Sequence, residues 1–118
     1  MREPKRDKER LAHILDAIHV IENGLVTYTK DELMTKPLLY YGMVKQVEII
    51  GEAANMLTIE FREAHNEVDW RPIVSMRNVL VHDYIHISQD MLWHTLTHDI
   101  SELKSHIQNY YDNFENTL

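Results

Sequence analysis

A chain of 118 residues with 44% hydrophobic and 26% charged positions is long enough for one domain with a buried core and too apolar to stay disordered. It has no cysteine, which excludes disulfides, thiolate nucleophiles and Cys-ligated metals, and a net charge of −7, which opposes general electrostatic capture of nucleic acid. Three Gly and three Pro are too few for a turn-rich β fold and point to long helices. No apolar run reaches membrane-spanning length, and no signal-peptide core follows Met1-Arg2-Glu3-Pro4-Lys5. We therefore expect a cytoplasmic protein built as one domain over residues 1–118, with no membrane contact.

The spacing predicts a first helix from about Lys5 to about Asn23, with Leu11, Ile14, Ile18 and Ile21 at three- and four-residue intervals and Gly24 as its stop. Thr29-Lys30-Asp31-Glu32 reads as a capping box that opens one short extra helical turn. Pro37 suits the first turn of a second, longer helix over Leu38 to Ala64. Tyr40, Met43, Val47, Ile50, Ala54, Leu57 and Phe61 form its main stripe. Val44, Ile49, Ala53, Met56 and Ile59 add a second strip, so this helix is either central in its bundle or also covered by a partner chain. Gly51 costs about 1 kcal/mol relative to Ala in a helix, which close approach of another backbone would offset.

Asp69 is a credible N-cap for a third helix beginning near Trp70, with Trp70 and Ile73 facing inward and Pro72 tolerated in the first turn. Ser88 caps a fourth helix whose stripe is Leu92, Leu96, Ile100, Leu103, Ile107 and Phe114, with Tyr110 filling the gap. Four long helices with short connections predict an all-α, antiparallel four-helix bundle.

The third helix carries Met76-Arg77-Asn78-Val79-Leu80-Val81-His82-Asp83-Tyr84, a fixed cation, a proton-transfer group and a phenol close together. Arg77 and Tyr84 lie seven residues apart, on nearly one face, while His82 stands about 140° around from Arg77 at roughly 100° per residue. Such a set suits phosphate chemistry, although cations near a helix C-terminus also serve the helix dipole.

Eight His raise the question of a metal. His82/His86 and His94/His98 are i,i+4 pairs, but a di-iron bundle needs Glu-x-x-His twice and the chain has none. The nearest approaches are Asp16-Ala17-Ile18-His19 and Asp83-Tyr84-Ile85-His86. We therefore expect no metal and no cofactor. No Ser sits on a strand–turn–helix elbow and no Gly-rich phosphate loop is present.

Arg77-Asn78-x-x-x-His82-x-Tyr84 resembles the Arg-x-x-x-x-His-x-Tyr motif of HEPN domains. Val47-Glu48-Ile49-Ile50-Gly51-Glu52-Ala53-Ala54, Phe61-Arg62-Glu63 and Asp69-Trp70-Arg71 are similar to its HepT-like branch. The resemblance covers about Leu11 to about Ile107. It implies a HEPN-like bundle and a metal-independent endoribonuclease, the toxin of a toxin–antitoxin pair, acting on RNA as a homodimer. It also implies a cognate antitoxin, an MntA-type nucleotidyltransferase that adenylylates the motif Tyr. Carried to this chain, Arg77 and His82 are catalytic, Asn78 and Glu52 supporting, and Tyr84 the modified residue.

The chemistry gives its own reason for a dimer. Metal-free RNA cleavage needs a base, an acid and positive charge on the phosphorane. One His per chain cannot readily make both transfers, and a two-fold pairing of third helices would supply two. A non-catalytic helical module that holds a nucleotide or a protein remains the alternative, favoured by the acidic charge.

Overall fold

The computed structural model describes residues 6–83 and 88–114, with the helical backbone alone over 77–83. It is all-α, with no strand among the described residues. In order come α1 (Asp7–Thr27), α2 (Lys30–Thr35), α3 (Pro37–Met56), α4 (Ile59–Ala64), α5 (Trp70–Asp83), α6 (Gln89–His94), a π-helical turn (Thr95–Asp99) and α7 (Ile100–Asp112). Four long arms are recognisable: α1, α3 with α4, α5, and α6 running through the π turn into α7. α3 packs against both α1 and α5, and α1 also packs against α7.

The core follows the helical periodicity. Leu11, Ile14, Ile18 and Ile21 of α1 are fully buried against Val47, Ile50 and Ala54 of α3 and Leu103 and Ile107 of α7. Each such Leu or Ile contributes about 1.5–3 kcal/mol relative to an exposed position. The capping box is formed: Glu32 N–H donates to Thr29 Oγ1 at 3.1 Å and Thr29 N–H to Glu32 Oε1 at 3.0 Å. Pro37 opens α3.

Three boundaries differ from expectation. The first helix runs past Gly24 to Thr27. Gly24 is not a stop; it is the place where α1 meets Met43, whose Cε would collide with any Cβ there. The long helix breaks at Leu57-Thr58, both extended, although its apolar stripe continues across the break. Thr58 is the N-cap of α4, its hydroxyl accepting from Phe61 N–H at 3.1 Å, and Asp7 of α1 holds it from outside the helix. The fourth helix contains a π turn in which Ile100 N–H donates to Thr95 O. Leu92, Leu96 and Ile100 follow at two successive intervals of four, which overshoot an α-helical turn by about 40° each. One wider i→i+5 turn takes up the excess and keeps all three buried.

The second strip of α3 is mostly consumed within the chain. Val44 and Ala53 are buried and Ile49 and Met56 half-buried, while Ile59 is 61% exposed. α3 is thus central in its own bundle, and the strip by itself does not call for a partner chain. Gly51 is buried on α3.

Candidate active site

α5 is positioned from its N-terminal end. Asp69 Oδ1 accepts from Arg71 N–H at 3.3 Å, as an N-cap should, and the Arg71 guanidinium returns to the same carboxylate at 3.2 Å. That guanidinium holds the Asp69 carboxyl below its ordinary range. Trp70 is buried, and its indole N–H donates to His65 O at 3.0 Å. His65 in turn stacks on Phe61 with ring centroids 4.0 Å apart, and its Nδ1 lies 2.9 Å from Phe61 O. A carbonyl can only accept, so Nδ1 carries the proton. The start of α5 is therefore tied to α4 by a hydrogen bond and by aromatic packing.

From Trp70 the backbone is helical without interruption to Asp83. Arg77 lies seven residues beyond Trp70 on the same helical line, at the end of the second turn, and Asn78 follows it. His82 falls in the last turn. Because α5 stays α-helical there, the Arg77 and His82 positions keep their separation of about 140° around the axis. Glu52 is half-buried on α3, the helix against which α5 packs, one residue after Gly51. Tyr84 and His86 lie outside the described residues.

No group of three or more His, Asp or Glu among the described residues is arranged to hold a metal ion. His94 and His98 are exposed, with rings stacked 4.6 Å apart, and His94 Nε2 is 3.6 Å from Asp99 Oδ1. Glu48 is half-buried beside Lys45, 3.4 Å away. No helix of the described residues is long and apolar enough to cross a membrane.

One polar arrangement is not legible in the sequence. Tyr110 is buried, yet its hydroxyl donates to Glu67 Oε1 at 2.8 Å, across 43 residues. Burial first, then the bond to Glu67, pushes the Tyr110 phenol well above its usual range. The same hydrogen bond holds the Glu67 carboxyl below its ordinary value. The i+3 and i+4 spacing that places Tyr110 on the stripe says nothing about which carboxylate meets its hydroxyl. Beside this pair, α3, α5 and α7 enclose a cleft of about 430 Å3 that reaches Met76, the neighbour of Arg77.

Residues 14–110 match the family described as ribonuclease HepT-like, which takes in all of α5 and both catalytic candidates. The chain belongs to the HepT-like ribonuclease family. As a HepT-like ribonuclease it is 32% identical over 104 residues to a candidate RNase of Caldanaerobacter subterraneus subsp. tengcongensis, covering 88% of this chain and 93% of that one. It is 31% identical over 97 residues to a probable ribonuclease HepT of Thermococcus cleftensis, covering 82% and 88%. A Methanocaldococcus jannaschii protein named as a gamma-glutamylcyclotransferase and candidate RNase is 35% identical over 97 residues. There the match covers 82% of this chain but only 44% of the relative. No solved structure matches significantly.

Proposed function

We propose that this HepT-like ribonuclease is a metal-independent endoribonuclease whose site is a cleft shared by two chains, built from Arg77 and His82 of each. The observation that carries the reading is the family match over residues 14–110, within which one unbroken helix bears both residues. In the reaction the ribose 2′-oxygen attacks the adjacent phosphorus. The 2′-O–P bond forms, the P–O5′ bond breaks, and a 2′,3′-cyclic phosphate and a free 5′-hydroxyl result. One His82 takes the 2′-hydroxyl proton and the other gives a proton to the departing 5′-oxygen. Arg77, always charged and able to meet two phosphoryl oxygens at once, stabilises the phosphorane.

Dimerisation follows from this chemistry rather than from exposed surface. Each chain has one motif His, about 140° around the helix from its own Arg, and two proton transfers are required. Asn78 and Glu52 support the site by orienting it. The net charge of −7 means that RNA must be attracted locally, by the paired Arg77 residues, and not by the protein's overall field. In this reading the chain is the toxin of a cytoplasmic toxin–antitoxin pair, silenced when a nucleotidyltransferase antitoxin of the MntA type adenylylates Tyr84.

The test is a gel assay for RNA cleavage in EDTA. We expect cleavage by the parent protein, cyclic-phosphate ends on the products, and losses of about 10²–10⁴-fold in His82→Ala. His82→Ala cleaving as fast as the parent would end the reading.

A further inference from the structure

Between α4 and α5 lies an open groove of about 1010 Å3, lined by Ile59 and Arg62 of α4, Asn66 of the turn after it, and Arg71, Val74 and Ser75 of α5. Its two cations differ. The Arg71 side chain is 90% exposed and is tied to Asp69 at 3.2 Å. Arg62 is half-buried; its Nε is shielded from solvent without a hydrogen-bond partner, and it enters no ion pair among the described residues. Buried polar groups nearly always have a partner. A half-buried guanidinium without one is a cation held for an acceptor that the chain does not supply. Being planar and always charged, it can fork onto two oxygens of a phosphate.

The register of α5 says which acceptor. Arg71, Ser75, Asn78 and His82 follow at intervals of four, three and four, so their positions share one line of the helix, within a sector of about 60° at roughly 100° per residue. The backbone stays helical throughout, so the groove leads along roughly 16 Å of axis, at 1.5 Å per residue, to the catalytic candidate His82. A ligand that fills the groove and also reaches His82 is a chain with repeating anions, which a lone phosphate is not. Glu63, exposed on the same groove, opposes an anion, while Asp69 is already occupied by Arg71.

We propose that the groove between α4 and α5 holds the phosphate backbone of the RNA strand beside its cleavage point, with the Arg62 guanidinium on one phosphate and the helix line of Arg71, Ser75 and Asn78 leading the strand to His82. This deepens the ribonuclease reading and rests on it for the identity of the ligand. Arg62 binds substrate and takes no part in the chemistry.

Fluorescence anisotropy of the full chain tests it, with a 2′-O-methyl oligonucleotide about twelve nucleotides long, which binds as RNA does but has no 2′-hydroxyl to attack. We expect Arg62→Gln to weaken binding about tenfold and to lower the slope of log K against log salt by about 0.7, the loss of one phosphate contact on a single strand. Arg62→Lys should keep most of the slope. Glu63→Gln should tighten binding severalfold, a gain that misfolding cannot produce. Lys36→Gln, which does not line the groove, should change neither affinity nor slope. Cleavage of a dinucleotide, too short to span from His82 to the groove, should be equal in the parent and Arg62→Gln. Affinity and salt slope unchanged in Arg62→Gln, or Glu63→Gln binding no tighter than the parent, would overturn the proposal. A parent that cleaves nothing yet binds the oligonucleotide through Arg62 would end the ribonuclease reading and uphold the groove, so the two fail separately.

Discussion

Asp7, in the first turn of α1, grips Thr58 with both carboxylate oxygens: Oδ1 accepts the Thr58 N–H at 2.9 Å and Oδ2 accepts its hydroxyl at 2.7 Å. Both residues are buried. The pair joins the start of the chain to the break between α3 and α4, and α4 in turn carries His65, on which Trp70 and the start of α5 rest. A hydrogen bond to a charged group contributes about 1.5–3 kcal/mol, and a buried partner left unsatisfied adds to the loss.

We expect Asp7→Ala to lower stability by about 2–3 kcal/mol in urea denaturation. Asp7→Asn should cost less, because its carboxamide oxygen can still accept from the Thr58 amide. If Asp7→Ala unfolds at the parent's midpoint, the Asp7–Thr58 contact does not hold the break.

How far the sequence reaches is clear from particular residues. The capping box at Thr29, Pro37 at the head of α3, Asp69 before α5 and Ser88 before α6 are local signals, and each is read correctly because its partners lie within a few residues. The break at Thr58 is invisible because its cause, Asp7, is 51 residues away. Gly24 misleads for the same reason: glycine reads as a helix stop, whereas its neighbour Met43 comes from another helix. The π turn is hinted at by the two successive four-residue steps from Leu92 to Ile100, which an unbroken helical stripe overlooks. As for the site, the motif helix and its two catalytic candidates are legible in the chain order, while the Glu67–Tyr110 pair is not.

That pair sets a pH signature at both ends of the scale. Tyr110 is held in its neutral form by burial and by Glu67, so its folded pKa lies above the usual value of 10.0. Its contribution is fully present below about pH 10 and is lost as pH rises further. Glu67 is the opposite case: its folded pKa lies below the ordinary 4.5, so its contribution is present above that value and is lost as pH falls through the folded pKa. Tyr110→Phe should flatten the alkaline limb of a stability–pH profile and raise the acid titration of Glu67. Unchanged limbs at both ends would show that the hydrogen bond carries no linkage.

Shared catalysis has a numerical consequence. If one cleft needs a His82 from each chain, a parent chain paired with His82→Ala is inactive. Equal amounts of the two proteins, after subunit exchange, leave about a quarter of the dimers fully intact. Activity per total protein should fall to about a quarter of the all-parent value, against about a half if each chain works alone. The half value would refute the shared cleft while leaving His82 catalytic within one chain.

Tyr84 would make the same site switchable. An unmodified phenol is neutral at pH 7, with a reference pKa of about 10, and leaves Arg77 available to substrate phosphate. Adenylylation would turn the hydroxyl into a phosphodiester, placing one negative charge and a nucleoside at the end of the motif helix. The charge would pair with Arg77, which otherwise meets the scissile phosphate, and the nucleoside would occupy the cleft that RNA must enter. Both effects oppose substrate without a change of fold. Mass spectrometry of the protein after incubation with a nucleotidyltransferase encoded beside it and ATP should show added AMP units, absent in Tyr84→Phe. RNA cleavage should fall with the modification in the parent and remain unaffected in Tyr84→Phe. AMP units that persist in Tyr84→Phe would place the modification elsewhere and refute this switch.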